Sequence, residues 1–241
     1  MSRHSKWSKV KQFKGAVDAK RSASFTKLAR EITVAAREKG GDPNMNVRLR
    51  VAMDRARKAS MPKDAVERAV QRGTGKGTDA AIIESLTYEA YAPGGTALII
   101  ECLTDNRNRS ANDVKHLLSK GEATLAAQGS VTYLFDRKGV VRVPGGLPAD
   151  RRDEVELALI DAGAEDISEY DEGTEIKCAP VDLAKVADAV HALGLTADSV
   201  EFEWLPKNLV ETDEETGLKV SDLIDSLDEL DDVSQVYSNL A

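Results

Sequence analysis

Gly139-Val140-Val141-Arg142-Val143 opens the run that decides the fold. This segment and residues 166–171, 174–178 and 198–205 are short and apolar or alternating, and read as strands. Between them, Asp153 to Ala162 and Leu183 to Leu193 read as helices, with apolar spacings Val155-Leu159-Ile160 and Val186-Ala189-Val190. The order β-α-β-β-α-β is that of a ferredoxin-like, two-layer α+β sandwich. Along 198–205, Glu201 and Glu203 alternate with Phe202 and Trp204, which puts the acids on the wet face.

Working outward, 84–91, 96–104 and 130–136 read as strands, and Asp113 to Lys120 as a helix carrying Val114, Leu117 and Leu118. The tail gives a helix with Leu223, Ile224, Leu227 and Leu230, then a last strand at Val233 to Tyr237. A further strand just after 205 would let the flanks 96–136 and 206–238 form a second unit of the same order. The expectation is therefore an α+β domain split into 78–136 plus 206–241, with a second α+β domain, 137–205, inserted in it. The rival is two consecutive α+β domains with a boundary near Gly145-Gly146.

The first 77 residues are of another kind. Phe25, Leu28, Ile32 and Ala35 mark an amphipathic helix from about Ala16 to Lys39, which Gly40-Gly41-Asp42-Pro43 ends. A second helix runs from about Asn46 to Lys58, with Leu49, Ala52, Met53 and Ala56 on one side. A third begins at Pro62, buries Val66, Ala69 and Val70, and stops at Gly73. A three-helix bundle with a thin core is expected over 1–77, followed by the linker 72–78. The linker fails the P-loop pattern, because Val70 and Gly77 stand where Gly and Ser/Thr are required.

Charge divides the chain at the same place. Residues 1–77 hold 20 Lys and Arg against 7 Asp and Glu, a balance of +13; residues 78–241 hold 13 against 34, a balance of −21; the whole is −8. A basic module joined to an acidic body points to a polyanion as partner. The longest aliphatic run, Ala97 to Ile100, is far short of a membrane span, and no apolar leader is visible, so no membrane partner is expected. Cys102 and Cys178 form neither a disulfide framework nor a CxxC pair, which suits a reducing cytoplasm.

No catalytic constellation emerges. His4, His116 and His191 are scattered, and the two on helices read as structural. No nucleophile elbow is present, and Cys102 sits in an apolar strand as an inert thiol. A non-enzyme without cofactor or metal is expected. Nucleic acid is the better-supported ligand. His4, Lys6, Trp7, Lys9, Lys11 and Lys14 interleave basic and aromatic groups, and Lys20, Arg21, Lys27, Arg30 and Arg37 continue the series. A second cluster, Thr104 to Ser110, has Arg107 and Arg109 placed for a two-pronged phosphate clamp beside Asn106. In its structural reading, Asn108 or Ser110 caps a helix and Asp105 pairs with an arginine.

His4-Ser5-Lys6-Trp7, Phe25-Thr26-Lys27-Leu28, Gly40-Gly41-Asp42-Pro43, Pro93-Gly94-Gly95, Glu101 to Arg109, Gly129-Ser130-Val131 and Asp231-Asp232-Val233 together resemble the YebC/PmpR family. The resemblance covers nearly the whole chain. It implies one helical and two α+β domains, and a role as a DNA-binding transcriptional regulator. The alternative it implies is a ribosome-associated translation factor on rRNA, as for the mitochondrial translational activator of cytochrome oxidase subunit I. A monomeric, cytoplasmic bacterial protein is the expectation, since the first motif opens at His4 and leaves no room for a transit peptide.

Overall fold

The structure is a computed structural model that describes residues 19–75, 83–171 and 173–241. Three helices come first: α1 (Ala19–Lys39), α2 (Val47–Lys58) and α3 (Lys63–Gly73). Leu28, Ile32, Ala35 and Ala36 of α1 share a buried cluster with Leu49, Ala52, Ala56, Met61 and Ala69. Alanine dominates it, so the helices approach closely. Asn46 organises the first turn: its Oδ1 accepts from Leu49 N (3.1 Å) and caps α2, while its Nδ2 donates to the carbonyls of Ala35 (2.7 Å) and Gly40 (2.8 Å). One buried amide thus serves the end of one helix and the start of the next. Pro62 stands at the N-cap of α3.

A four-stranded antiparallel sheet follows, in the order β3-β1-β2-β8, from β1 (Glu84–Tyr91), β2 (Ala97–Thr104), β3 (Thr124–Ala126) and β8 (Val233–Ser238). Helices α4 (Arg107–Lys120) and α7 (Glu214–Asp228) cover one face, around Leu98, Ile100, Cys102, Val114, Leu118 and Leu227. Near Leu103, the other face meets α1 through the small cluster Val34, Ile83 and Leu103. These elements and the three helices form one compact unit, which comprises the described residues through Phe135 together with Pro206–Ala241.

The second compact unit is Asp136–Leu205. Its sheet runs β5-β6-β4-β7, from β4 (Phe135–Pro144), β5 (Ala164–Tyr170), β6 (Gly173–Cys178) and β7 (Ser199–Pro206). Val141, Val143, Ile176 and Cys178 face α5 (Arg152–Asp161) and α6 (Leu183–Ala192). Gly139 lies close against Cys178 and Leu183, where a Cβ would meet both side chains within 3 Å. On the opposite face Arg142 donates to Glu175 (2.9 Å) and through both Nη atoms to Glu203 (2.7 and 3.0 Å). Glu203 is only 3% exposed, so the reading that put it on the wet face is corrected.

Other differences have identifiable causes. The expected strand 130–136 is a turn and one 3-10 helix, Thr132–Leu134, before the single strand β4. Buried Glu89 accounts for this: its carboxylate accepts from the backbone N–H of Gly129 (2.7 Å), Val131 (2.5 Å) and Thr132 (2.9 Å) and from the Thr132 hydroxyl (2.6 Å). Donors that a ladder would use are spent on a side chain. The expected strand just after 205 is reduced to one bridge, Val210 to Leu240, and β1 fills the fourth place in the first sheet. That sheet therefore does not have the ferredoxin-like order expected of both α+β units. α4 starts at Arg107 because Asn106, rather than Asn108 or Ser110, supplies the cap, accepting from Arg109 N (3.1 Å). α7 begins nine residues before Leu223, capped by Asp213. His116 and His191 are exposed on their helices, not packed inside.

Helices α1 and α3 touch at Gly73, where a Cβ would lie 2.4 Å from the Thr33 carbonyl oxygen and 2.7 Å from Ala36 Cβ. Alanine is the better helix former by ~1 kcal/mol, but a backbone oxygen cannot move aside as a flexible side chain does. Gly73→Ala is expected to destabilise the chain by about 1–3 kcal/mol, read as a lower thermal midpoint. A midpoint at or above wild type would show that the two helices are not tightly apposed there.

Candidate nucleic-acid interface

The basic residues fall into three groups. His4, Lys6, Trp7, Lys9, Lys11 and Lys14 lie outside the described residues, and Lys20 and Arg21 sit in the first turn of α1 with side chains outside the described set. The second group faces the chain's own acidic body. Lys27 Nζ donates to the Asp228 carbonyl oxygen. Arg30 Nη1 donates to the Asp231 carbonyl (2.6 Å) and to Asp232 Oδ1 (2.8 Å). Arg37 Nη1 donates to the Ile83 carbonyl (3.0 Å). Burial pushes the Lys27 ammonium below its ordinary value, against the pull of Asp228 and Asp231.

Asp232 is the centre of this contact. It sits between α7 and β8 and is 7% exposed. Its Oδ2 accepts from Ser110 Oγ (2.6 Å), Thr104 Oγ1 (2.9 Å) and Arg109 Nη2 (2.8 Å), and its Oδ1 from Arg30 Nη1 (2.8 Å). Arg109 Nη2 also donates to Asp105 (2.8 Å). Burial pushes the Asp232 carboxyl up, but the donors Ser110, Arg109 and Thr104 and the Arg30 charge outweigh it and hold the group below its ordinary range. Arg109 is thus committed to Asp232 and Asp105, and the expected two-pronged clamp of Arg107 and Arg109 is not assembled. Arg107 stands beside Glu84 (3.4 Å) with its side chain 68% exposed. Asn106 is the exposed cap of α4.

The third group was not singled out in the sequence, although its charge was counted. On α2 and α3, Arg57, Lys58, Lys63, Arg68 and Arg72 are exposed. Arg57 pairs with Asp54 (2.8 Å), and Lys63 lies 3.7 Å from Glu67. Among the described residues Arg68 and Arg72 have no partner, and their i, i+4 spacing puts them on one face of α3. The signal was available: the apolar stripe Val66, Ala69 and Val70 leaves positions 68 and 72 outside.

Burial pushes the Cys102 thiol up to about 12 and the Cys178 thiol up to about 11, so neither is a ready nucleophile. Among the described residues no group of three His, Cys, Asp or Glu is placed to hold a metal ion, and no helix is long and apolar enough to cross a membrane.

With this geometry in view, the relatives are informative. Residues 5–76 match the TACO1/YebC protein N-terminal domain, and residues 83–240 match the TACO1/YebC second and third domain. A "Probable transcriptional regulatory protein" of Rubrobacter xylanophilus is 47% identical, over 99% of this chain and 95% of its own. The "Probable transcriptional regulatory protein YebC" of Shigella dysenteriae serotype 1 is 46% identical, over 99% and 96%. The crystal structure of a conserved hypothetical protein from Aquifex aeolicus superposes with a TM-score of 0.85 at 40% identity, over 98% of this chain and 97% of that one. The chain belongs to the TACO1/YebC family.

The depressed Asp232 group gives a pH prediction. Its contribution is complete above the unfolded carboxyl value of about 3.9 and is lost as pH falls through the lower folded value. Asp232→Asn is expected to cost about 1–3 kcal/mol at pH 7 and to flatten the fall of stability below about pH 4. Chemical denaturation across that range checks both. Equal stability at pH 7 would mean that the four donors do not hold the fold.

Proposed function

We propose that the chain is a non-enzymatic regulator of gene expression that binds nucleic acid through its helical N-terminal domain, in the manner its relatives' names suggest for transcription. The observation that carries the reading is the exposed basic surface of α2 and α3, where Arg68 and Arg72 have no partner among the described residues. Guanidinium groups so placed neutralise phosphates and release counterions. The basic residues before α1 and Arg107 add to the same footprint in this proposal.

A ribosome-associated factor on rRNA is the second reading. It is favoured by what α2 and α3 lack. Their exposed positions are mainly charged, and Gln71 is the one amide among them. A helix built to read base edges in the major groove carries several such groups, whereas a phosphate-tracking surface suits structured RNA, which is recognised largely by shape.

Arg68→Ala with Arg72→Ala is the direct test. These are surface changes, so the thermal midpoint should move little, within about ±0.5 kcal/mol per site. Binding of the full chain to an RNA hairpin or a DNA duplex should weaken, and the log–log salt slope should shrink by roughly 0.7–0.9 for each phosphate no longer neutralised. Wild-type affinity and slope in the double variant would remove this surface from the interface. Crosslinking in cells separates the two readings, with rRNA in the bound pool for one and promoter DNA for the other.

A further inference from the structure

Helix α7 is acidic at its first turn, where its dipole favours negative charge, and acidic again at its other end. Asp225, Asp228, Glu229, Asp231 and Asp232 crowd its C-terminus, where the helix dipole is already negative, and its last turn has no basic residue of its own. The missing positive charge comes from α1. Lys27 and Arg30, one turn apart, reach the carbonyls of Asp228 and Asp231 and the Asp232 carboxylate. Beside these bonds and the one from Arg37 to Ile83, a small apolar cluster of Val34, Ile83 and Leu103 joins α1 to the sheet. The core of the helical domain lies elsewhere, around Ile32, Leu49 and Ala52. Charge therefore contributes to the docking of α1 on the body, while the helices share an apolar core of their own.

Phosphate oxygens seek the same donors as these carbonyls and this carboxylate. We propose that Lys27 and Arg30 form a latch that nucleic acid opens. In the closed state both side chains serve the end of α7; a bound phosphate backbone draws them away and frees the turn between α7 and β8. The proposal rests on the nucleic-acid reading above and adds regulation to it. Thermodynamic reciprocity follows: whatever loosens the latch raises affinity for nucleic acid, and nucleic acid loosens the latch. Arg109, Ser110 and Thr104 also face the junction; they hold Asp232 from the body side and keep it in place when α1 lets go.

The test is hydrogen exchange of the full chain with and without a labelled RNA hairpin, following the peptide that spans residues 227–233, alongside the hairpin's affinity. Saturating hairpin is expected to speed exchange there several-fold. Asp232→Asn is expected to exchange faster without RNA and to bind the hairpin about three- to tenfold more tightly, because the competent state no longer has to be released. Should Asp232→Asn fold poorly, Arg30→Gln opens the latch from the helix side and leaves the Arg109 pair intact. It should show fast exchange in the free protein and no further change with RNA. If the hairpin binds wild type but leaves exchange at 227–233 unchanged or slower, and affinity does not rise in Asp232→Asn, the latch is overturned while nucleic-acid binding stands. If the hairpin does not bind at any salt concentration, both fall.

Discussion

A single carboxylate, that of Asp232, sets the terms for the larger unit of this protein. Removing an ionised group from water is costly unless its lone pairs are filled. Here two hydroxyls and two guanidinium groups fill them, from Thr104, Ser110, Arg109 and Arg30. These donors come from three different parts of the chain: the end of β2, the first turn of α4, and helix α1. The carboxylate therefore fixes three elements against the turn before β8, where apolar contact alone would allow them to slide. Arg109 matters as a fork that reaches Asp232 and Asp105 together, a geometry lysine does not offer.

This arrangement changes the meaning of the charge asymmetry. A basic segment of +13 and a remainder of −21 suggest a polyanion partner, and part of that charge is met within the molecule. Lys27, Arg30 and Arg37 neutralise the acidic end of α7 and satisfy backbone oxygens, while Arg68 and Arg72 on α3 remain directed to solvent. The smaller unit solves a similar problem within its own sheet, where Arg142 is held between Glu175 and Glu203. Counting charges finds the imbalance; only the fold tells which charges are already spoken for.

Periodicity made most elements legible. Strands 84–91, 174–178 and 198–205 and the three N-terminal helices lie where the apolar spacing puts them, within a residue or two wherever they are described. Two of the misses share a cause, which is long-range hydrogen bonding by polar side chains. Glu89 curls residues 129–132 out of a ladder from 40 positions away, and Asp232 turns Arg109 inward from 123 positions away. β3 spans three residues, too few for any period to appear. The sequence marked Asn106, Arg107 and Arg109 as special and paired Asp105 with an arginine in one of its readings. It could not show that Asp231-Asp232, noted only as part of a distant motif, completes the same cluster.

The separation of these partners along the chain has a bearing on biosynthesis. Arg30 and Asp232 are 202 residues apart, and the last strand begins at Val233. α1 to α3 make mainly local contacts and are able to form early, whereas contacts of such sequence distance come late in folding. During translation the basic helices emerge long before the acidic segment that neutralises Lys27 and Arg30. A nascent chain thus carries its cationic face unshielded, beside the RNA of the particle making it, until the segment around Asp232 has been made and has emerged.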